Sequence, residues 1–286
     1  MDAEKRYVEA LGEWRAAAAL GHGGAIFNIG FAYEHGRGVA KNVAEAIEWY
    51  KRAVKAGHLK AMFTLASHLR EGVPEACVAP NLAEAMRLMR KAAEGGHVEA
   101  TFAIGKWLGE DNKDDPEQLV WLRRAIEMGS ANALALMGFC YKNGMGGLEK
   151  NAPTAILWYL KAAELGNAVA MFNLGASFYN GDGVAMNLVK AAEWLERASM
   201  AGHEDAPAAL EEIEQLIAEE QAATKQTSSS SSTAITRSPC SACGELATDR
   251  CSGCMEKFYC SHECQLAHWQ EHKAECKAKQ AKLKEQ

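Results

Sequence analysis

Apolar residues recur along most of the chain at helical spacing. Met171, Leu174, Gly175 and Phe178 fall at i, i+3, i+4 and i+7. Ala191, Trp194, Leu195 and Ala198 repeat that spacing on the next segment. Each set predicts a helix with one apolar face. The two-helix pattern then recurs upstream. "WYKRAVKAGHLKAMFTLA", "RKAAEGGHVEATFAIG", "WLRRAIEMGSANALALMG", "WYLKAAELGNAVAMFNLG" and "WLERASMAGHEDAPAAL" align on a glycine, after an opening partial copy "WRAAAALGHGGAIFNIG". The anchors are Gly21, Gly57, Gly96, Gly129, Gly166 and Gly202, a period of about 33 to 39 residues. Such a period predicts stacked helix pairs.

Polar punctuation repeats with the same period. "HGRGV" (His35 to Val39) and "NGDGV" (Asn180 to Val184) end the first helix of their units with glycines, which tolerate the left-handed conformation at a helix C-terminus. Asn42, Asn81, Asn151 and Asn187 then stand where an N-cap is needed, and Glu45 and Glu84 complete a capping-box spacing. In the third unit Asp115 takes the cap and Pro116 the first helical position. The glycine loops lack the preceding strand and following Gly-Lys-Ser/Thr of a phosphate cradle. His22, His58, His97 and His203 each follow a glycine. Spread along a solenoid they read as helix-end residues rather than metal ligands. "APAALEEIEQLIAEEQ" (Ala206 to Gln221) places Ile213, Leu216 and Ile217 on one face and suits a capping helix.

Composition adds a second module. After "AATKQTSSSSSTAITRSP", whose Ser and Thr predict a flexible linker over residues 223–238, the spacing becomes Cys-x2-Cys-x7-Cys-x2-Cys-x5-Cys-x3-Cys-x7-His-x3-Cys. Seven of the nine cysteines lie there. The eight positions Cys240, Cys243, Cys251, Cys254, Cys260, Cys264, His272 and Cys276 make two tetrahedral sites, with the thiolates and imidazole that zinc prefers. Two Zn2+ per chain are expected. A segment so short gains much of its folding free energy from metal. Spacing leaves two pairings open: Cys240/Cys243/Cys251/Cys254 with Cys260/Cys264/His272/Cys276, or Cys240/Cys243/Cys260/Cys264 with Cys251/Cys254/His272/Cys276. The remaining Cys77 and Cys140 lie in helical patterns and read as buried thiols.

The small-residue helix, the "GxGV" loop and the "WyxkAaexGh" run resemble the Sel-one-like repeat family, relatives of tetratricopeptide repeats, from about Leu11 to Ala206. The second unit departs in its loop ("REGVPEACVAPN") and the third in its acidic one ("GEDNKDDPEQ"). The segment "CSGCMEKFYCSHECQLAHWQEHKAEC" resembles the MYND zinc finger. That resemblance implies the interleaved pairing and His272, rather than His262 or His268, as the ligand. It also implies a peptide groove lined by Ser252, Gln265 and Trp269. Trp269 further suits a cover over the small metal core.

The expected architecture is all-α: a right-handed α-solenoid with its capping helix over residues 1–222, the linker at 223–238, a cross-braced finger at 239–278 and a basic tail at 279–286. Both resemblances imply an adaptor that binds proteins or short peptides. A solenoid offers an extended concave face, on which Asn28 and Asn173 could hydrogen-bond a peptide, and no catalytic pocket. No enzymatic activity and no small-molecule substrate are expected. Ubiquitin-ligase or methyltransferase-associated regulation is one alternative class, but the repeats leave no room for a methyltransferase domain. Nucleic-acid binding is another, opposed by the net charge of -6. The charged N-terminus "MDAEKRYVEALGEW" and the absence of a long apolar run point to a cytosolic or nuclear protein with no membrane partner.

Overall fold

A computed structural model describes residues 2–230, 249–250, 258–259 and 268. The chain divides into two compact units, residues 1–217 and 218–286.

The first unit is an α-solenoid. An opening helix α1 (Asp2–Ala19) precedes five pairs: α2 (Gly23–His35) with α3 (Val43–Lys55), α4 (Leu59–Glu71) with α5 (Leu82–Glu94), α6 (Val98–Asp111) with α7 (Glu117–Glu127), α8 (Ala131–Asn143) with α9 (Ala152–Glu164), and α10 (Ala168–Asn180) with α11 (Leu188–Met200). Each helix packs on the next in sequence, most extensively within a pair. The core of the pairs is alanine-rich, with Ala46, Ala53, Ala92, Ala125, Ala162 and Ala198 buried on the second helices. Small side chains let the axes approach, and one large side chain per pair fills the seam. A Cβ on Gly138 of α8 would lie 2.7 Å from the ring of Tyr159 on α9. Any residue but glycine there would displace a fully buried tyrosine.

The loop signature has a physical cause. Gly181 closes α10 in the left-handed conformation (φ 75°), its N–H donating to the Ser177 carbonyl. Gly183 is also left-handed (φ 78°), and a Cβ on it would sit 2.5 Å from the Ala152 carbonyl carbon at the start of α9. The first glycine ends a helix, and the second lets the loop lie against the preceding repeat.

The asparagine caps form as the spacing predicts. Asn42 accepts from Glu45 N, Asn81 from Glu84 N, Asn151 from Thr154 N and Asn187 from Lys190 N, at 2.9 to 3.1 Å. A cap of this kind contributes about 1 kcal/mol. The reciprocal half of the capping box does not form at Asn42 or Asn81. Their backbone N–H groups already donate to Tyr33 O and Leu69 O of the preceding helix. Glu45 instead accepts from the Trp49 indole, and Glu84 pairs with Arg87. In the third pair Asp115 accepts from Glu117 N at 2.9 Å, and Pro116, just before α7, has helical dihedrals (φ -68°, ψ -21°).

The second repeat carries an insertion, with a 3-10 turn at Pro74–Ala76 and a bridge between Val73 and Val78. Cys77 sits in it at φ 55° and is exposed, contrary to its reading as a buried thiol. The insertion lifts it off the helix whose periodicity suggested burial. Cys140 is buried, and burial pushes its thiol up to about 11.

Trp194, placed on an apolar face by its spacing, is not fully buried, and the other tryptophans of the second helices share its setting. Trp49, Trp121, Trp158 and Trp194 are half-buried. Each carries a cation three residues on: Arg52 at 3.9 Å, Arg124 at 5.5 Å, Lys161 at 4.9 Å and Arg197 at 4.1 Å from the ring centroid. One ring face packs inward and the other is covered by a charge, worth about 0.5 to 1 kcal/mol at exposed sites.

Helix α12 (Ala206–Ser230) closes the solenoid, burying Ala206 and Ile213 and packing Leu210 and Ile217 beside Leu195. It runs on to Ser230, so residues 223–230, assigned from composition to the linker, are helical. Ala222, Ala223, Lys225 and Gln226 favour helix and extend one already nucleated. In the second unit, the described strands β1 (Asp249–Arg250) and β2 (Phe258–Tyr259) pair antiparallel, Asp249 opposite Tyr259.

Candidate interaction surfaces

Two of the histidines that follow the repeat glycines, His58 and His97, cap the next helix with their side chains. His58 Nδ1 accepts from Ala61 N at 3.2 Å and His97 Nδ1 from Ala100 N at 3.1 Å. An acceptor nitrogen must be unprotonated. Burial is the main cause holding both imidazoles below the usual histidine range, with the Lys60 charge adding to it. Each ring also covers a phenylalanine of the preceding repeat. Phe27 meets His58 at 5.1 Å between centroids, Phe63 meets His97 at 5.2 Å, and Phe172 stacks on His203 at 4.2 Å. At these junctions the first-helix surface is closed by a Phe–His plug.

Two consecutive junctions lack the plug. The cap of α8 is Ser130, whose hydroxyl accepts from Ala133 N at 3.2 Å. The cap of α10 is Asn167, which accepts from Ala170 N at 2.8 Å and donates to Asn132 Oδ1 at 2.7 Å. The residue equivalent to Phe27 is Phe102 in α6 but Ala135 in α8. Here the first helices α6, α8 and α10 enclose a groove of about 450 Å3. Phe102, Ala135, Leu136, Phe139 and Val169 supply its apolar surface, and Lys106, Asn132, Asn167 and Asn173 its polar groups. Phe139 and Val169 are exposed, at 43% and 51%. Of the asparagines predicted on the concave face, Asn173 lines this groove and Asn28 does not. Sequence reading missed the groove. The signal was present in two aligned columns: His58, His97, Ser130, Asn167, His203 against Phe27, Phe63, Phe102, Ala135, Phe172.

The expected zinc ligands Cys240, Cys243, Cys251, Cys254, Cys260, Cys264, His272 and Cys276 lie outside the described residues, as do the expected groove residues Ser252, Gln265 and Trp269. His268 is helical and half-buried. In chain order Cys251 and Cys254 fall in the connection between β1 and β2, and Cys260 directly follows β2. The donor set, seven thiols and an imidazole, fits zinc on chemical grounds. Among the described residues no helix is long and apolar enough to cross a membrane.

Helix pairs with glycine loops, asparagine caps and a period near 36 residues define a repeat solenoid of the tetratricopeptide-related class. The Sel1 repeat model matches residues 24–58, 59–97, 131–167 and 168–203, and the MYND finger model matches residues 240–276. The chain belongs to the Sel1 repeat family and carries a C-terminal MYND finger. It is similar to a Sel1 repeat protein from Oxalobacter formigenes, at 31% identity and a TM-score of 0.63 over 72% of this chain and 82% of that one. It is also similar to a protective antigen of uropathogenic Escherichia coli with an SLR fold, at 28% identity and a TM-score of 0.59 over 72% of this chain and 44% of that one. The matched repeats omit the α6–α7 pair, and that pair supplies Phe102 and Lys106 to the groove.

Proposed function

We propose that the chain is a zinc-binding, non-catalytic adaptor with two separate protein-binding surfaces. Sel1 repeats and MYND fingers are both interaction modules, which supports the general reading. The observation that carries it for the solenoid is the groove across α6, α8 and α10, where an exposed Phe139 and three asparagines face one another. Apolar surface edged by amides is suited to an extended protein segment, whose backbone needs hydrogen-bond partners.

The finger is the second surface. Cys240, Cys243, Cys260 and Cys264 hold one Zn2+, and Cys251, Cys254, His272 and Cys276 the other. Zinc acts there as a structural cross-link. The pairing of β1 with β2 supports the interleaved arrangement, since Cys251 and Cys254 lie between the strands and Cys260 beyond them. Ser252, Gln265 and Trp269 receive a short, proline-containing peptide, with the indole as anchor. The module boundaries are 1–222 for the repeats and 239–278 for the finger, within a cytosolic or nuclear protein.

Affinity capture with wild-type and Trp269→Ala baits tests the finger half. Loss of a subset of partners from the variant supports it, and identical recovery overturns it.

A further inference from the structure

The groove exists because three rings are missing from two consecutive junctions. A histidine at 130 would cap α8 as His58 caps α4 and would cover Phe102, as His58 covers Phe27. A phenylalanine at 135 and a histidine at 167 would form the next plug. In their place stand Ser130, Ala135 and Asn167. The caps survive the change, since Ser130 and Asn167 still accept from Ala133 N and Ala170 N. The solenoid therefore keeps its helix starts while uncovering the floor between three successive first helices. Large-to-small changes usually cost stability through a lost contact. Here the missing rings leave a lined recess.

The lining carries one charge. Lys106 is its single ionic side chain. Lys106 lies 3.7 Å from Glu110, a loose contact, and Glu110 is itself held by Arg70 at 3.1 Å. An incoming carboxylate would thus meet a cation and no acid among the lining residues. Asn132 is oriented by Asn167 at 2.7 Å, so part of the polar rim is fixed before anything binds.

We infer that this recess recognises a linear segment of a partner protein that presents one apolar side chain with an Asp or Glu a few residues away. The apolar side chain enters between Phe102, Ala135, Leu136 and Phe139. The carboxylate pairs with Lys106, and the amides of Asn132 and Asn173 hold the segment's backbone. The inference rests on the protein-binding reading of the solenoid and specifies its ligand.

The test uses the full-length, zinc-loaded chain. A phage-displayed library of random dodecapeptides is panned on it, and each enriched peptide is titrated by fluorescence anisotropy against Ser130→His, Phe139→Asp, Lys106→Ala and Trp269→Ala. Enriched peptides carry an apolar residue near an acid. Ser130→His, which restores the plug, weakens them about tenfold or more, as does Phe139→Asp. Replacing the peptide's acid by its amide weakens wild-type binding but not binding to Lys106→Ala. Phe139 is exposed, so its variant keeps the test valid should Ser130→His fail to fold. Peptides that bind both variants as tightly as wild type overturn the inference. If they respond only to Trp269→Ala, the adaptor reading stands and this recess is not its site. Self-association abolished by Phe139→Asp, with no peptide retained by the solenoid, overturns it in favour of a second copy of the chain. No enriched peptide on any bait overturns both readings.

Discussion

The Tyr50 hydroxyl, sealed from solvent on α3, donates to a carboxylate oxygen of Glu34 on α2. His68 of the next repeat reaches the other oxygen at 3.2 Å. The close approach of His68 is the largest cause holding Glu34 below the usual carboxylate range, and the bond from Tyr50 adds to it. Tyr159 occupies the equivalent seam in the fourth repeat and is equally buried. Its hydroxyl has no hydrogen-bond partner among the described residues, and the position of Glu34 is taken by Lys142.

Removing the two hydroxyls should therefore have opposite consequences. Tyr50→Phe leaves a carboxylate short of a donor and should lower stability by about 1 to 2 kcal/mol. Tyr159→Phe removes an unpaired polar atom and should leave stability within about 0.5 kcal/mol or raise it. Urea unfolding of the two variants ranks them. A larger loss for Tyr159→Phe would contradict the assignment.

The histidine caps make the solenoid sensitive to mild acid. His58 and His97 have folded values depressed below 6.5. The unfolded chain then takes up protons first, so their stabilisation is complete above about pH 6.5 and is lost as pH falls toward the folded values. Glu34, also depressed, loses its contribution only below about 4.5 and does not act in this window. The melting temperature should fall between pH 7 and pH 5. His58→Asn with His97→Asn, which caps without titrating, should flatten that slope. An unchanged slope in the double variant would show that other groups set it.

The finger's pairing has a mass signature. Native mass spectrometry should find two zinc ions on the full chain. In the interleaved arrangement Cys243→Ser breaks one site and unlocks the other, so both ions should be lost together. Retention of one ion by that variant would favour the sequential pairing.

Local signals were legible in the residues and relational ones were not. Asn187 caps Lys190 N three residues away, and Gly181 ends the helix it adjoins, so both follow from short spacing alone. His97 acts on Phe63, a repeat earlier. Its role depends on how two pairs stack. Apolar periodicity placed Trp194 in the core, but Arg197 covers its outer face, and no periodicity reports which side of a ring faces water. Cys77 left the core because an insertion interrupts its repeat. The groove was hardest to read, since it comes from what Ser130, Ala135 and Asn167 lack relative to other repeats.

The central claim is that one chain carries two separable binding surfaces. Affinity purification from the native cells, with wild-type, Phe139→Asp and Trp269→Ala baits compared by quantitative mass spectrometry, tests it most directly. Two distinct partner sets are predicted, one lost with Phe139→Asp and kept with Trp269→Ala, the other the reverse. The same partners recovered by all three baits would contradict it.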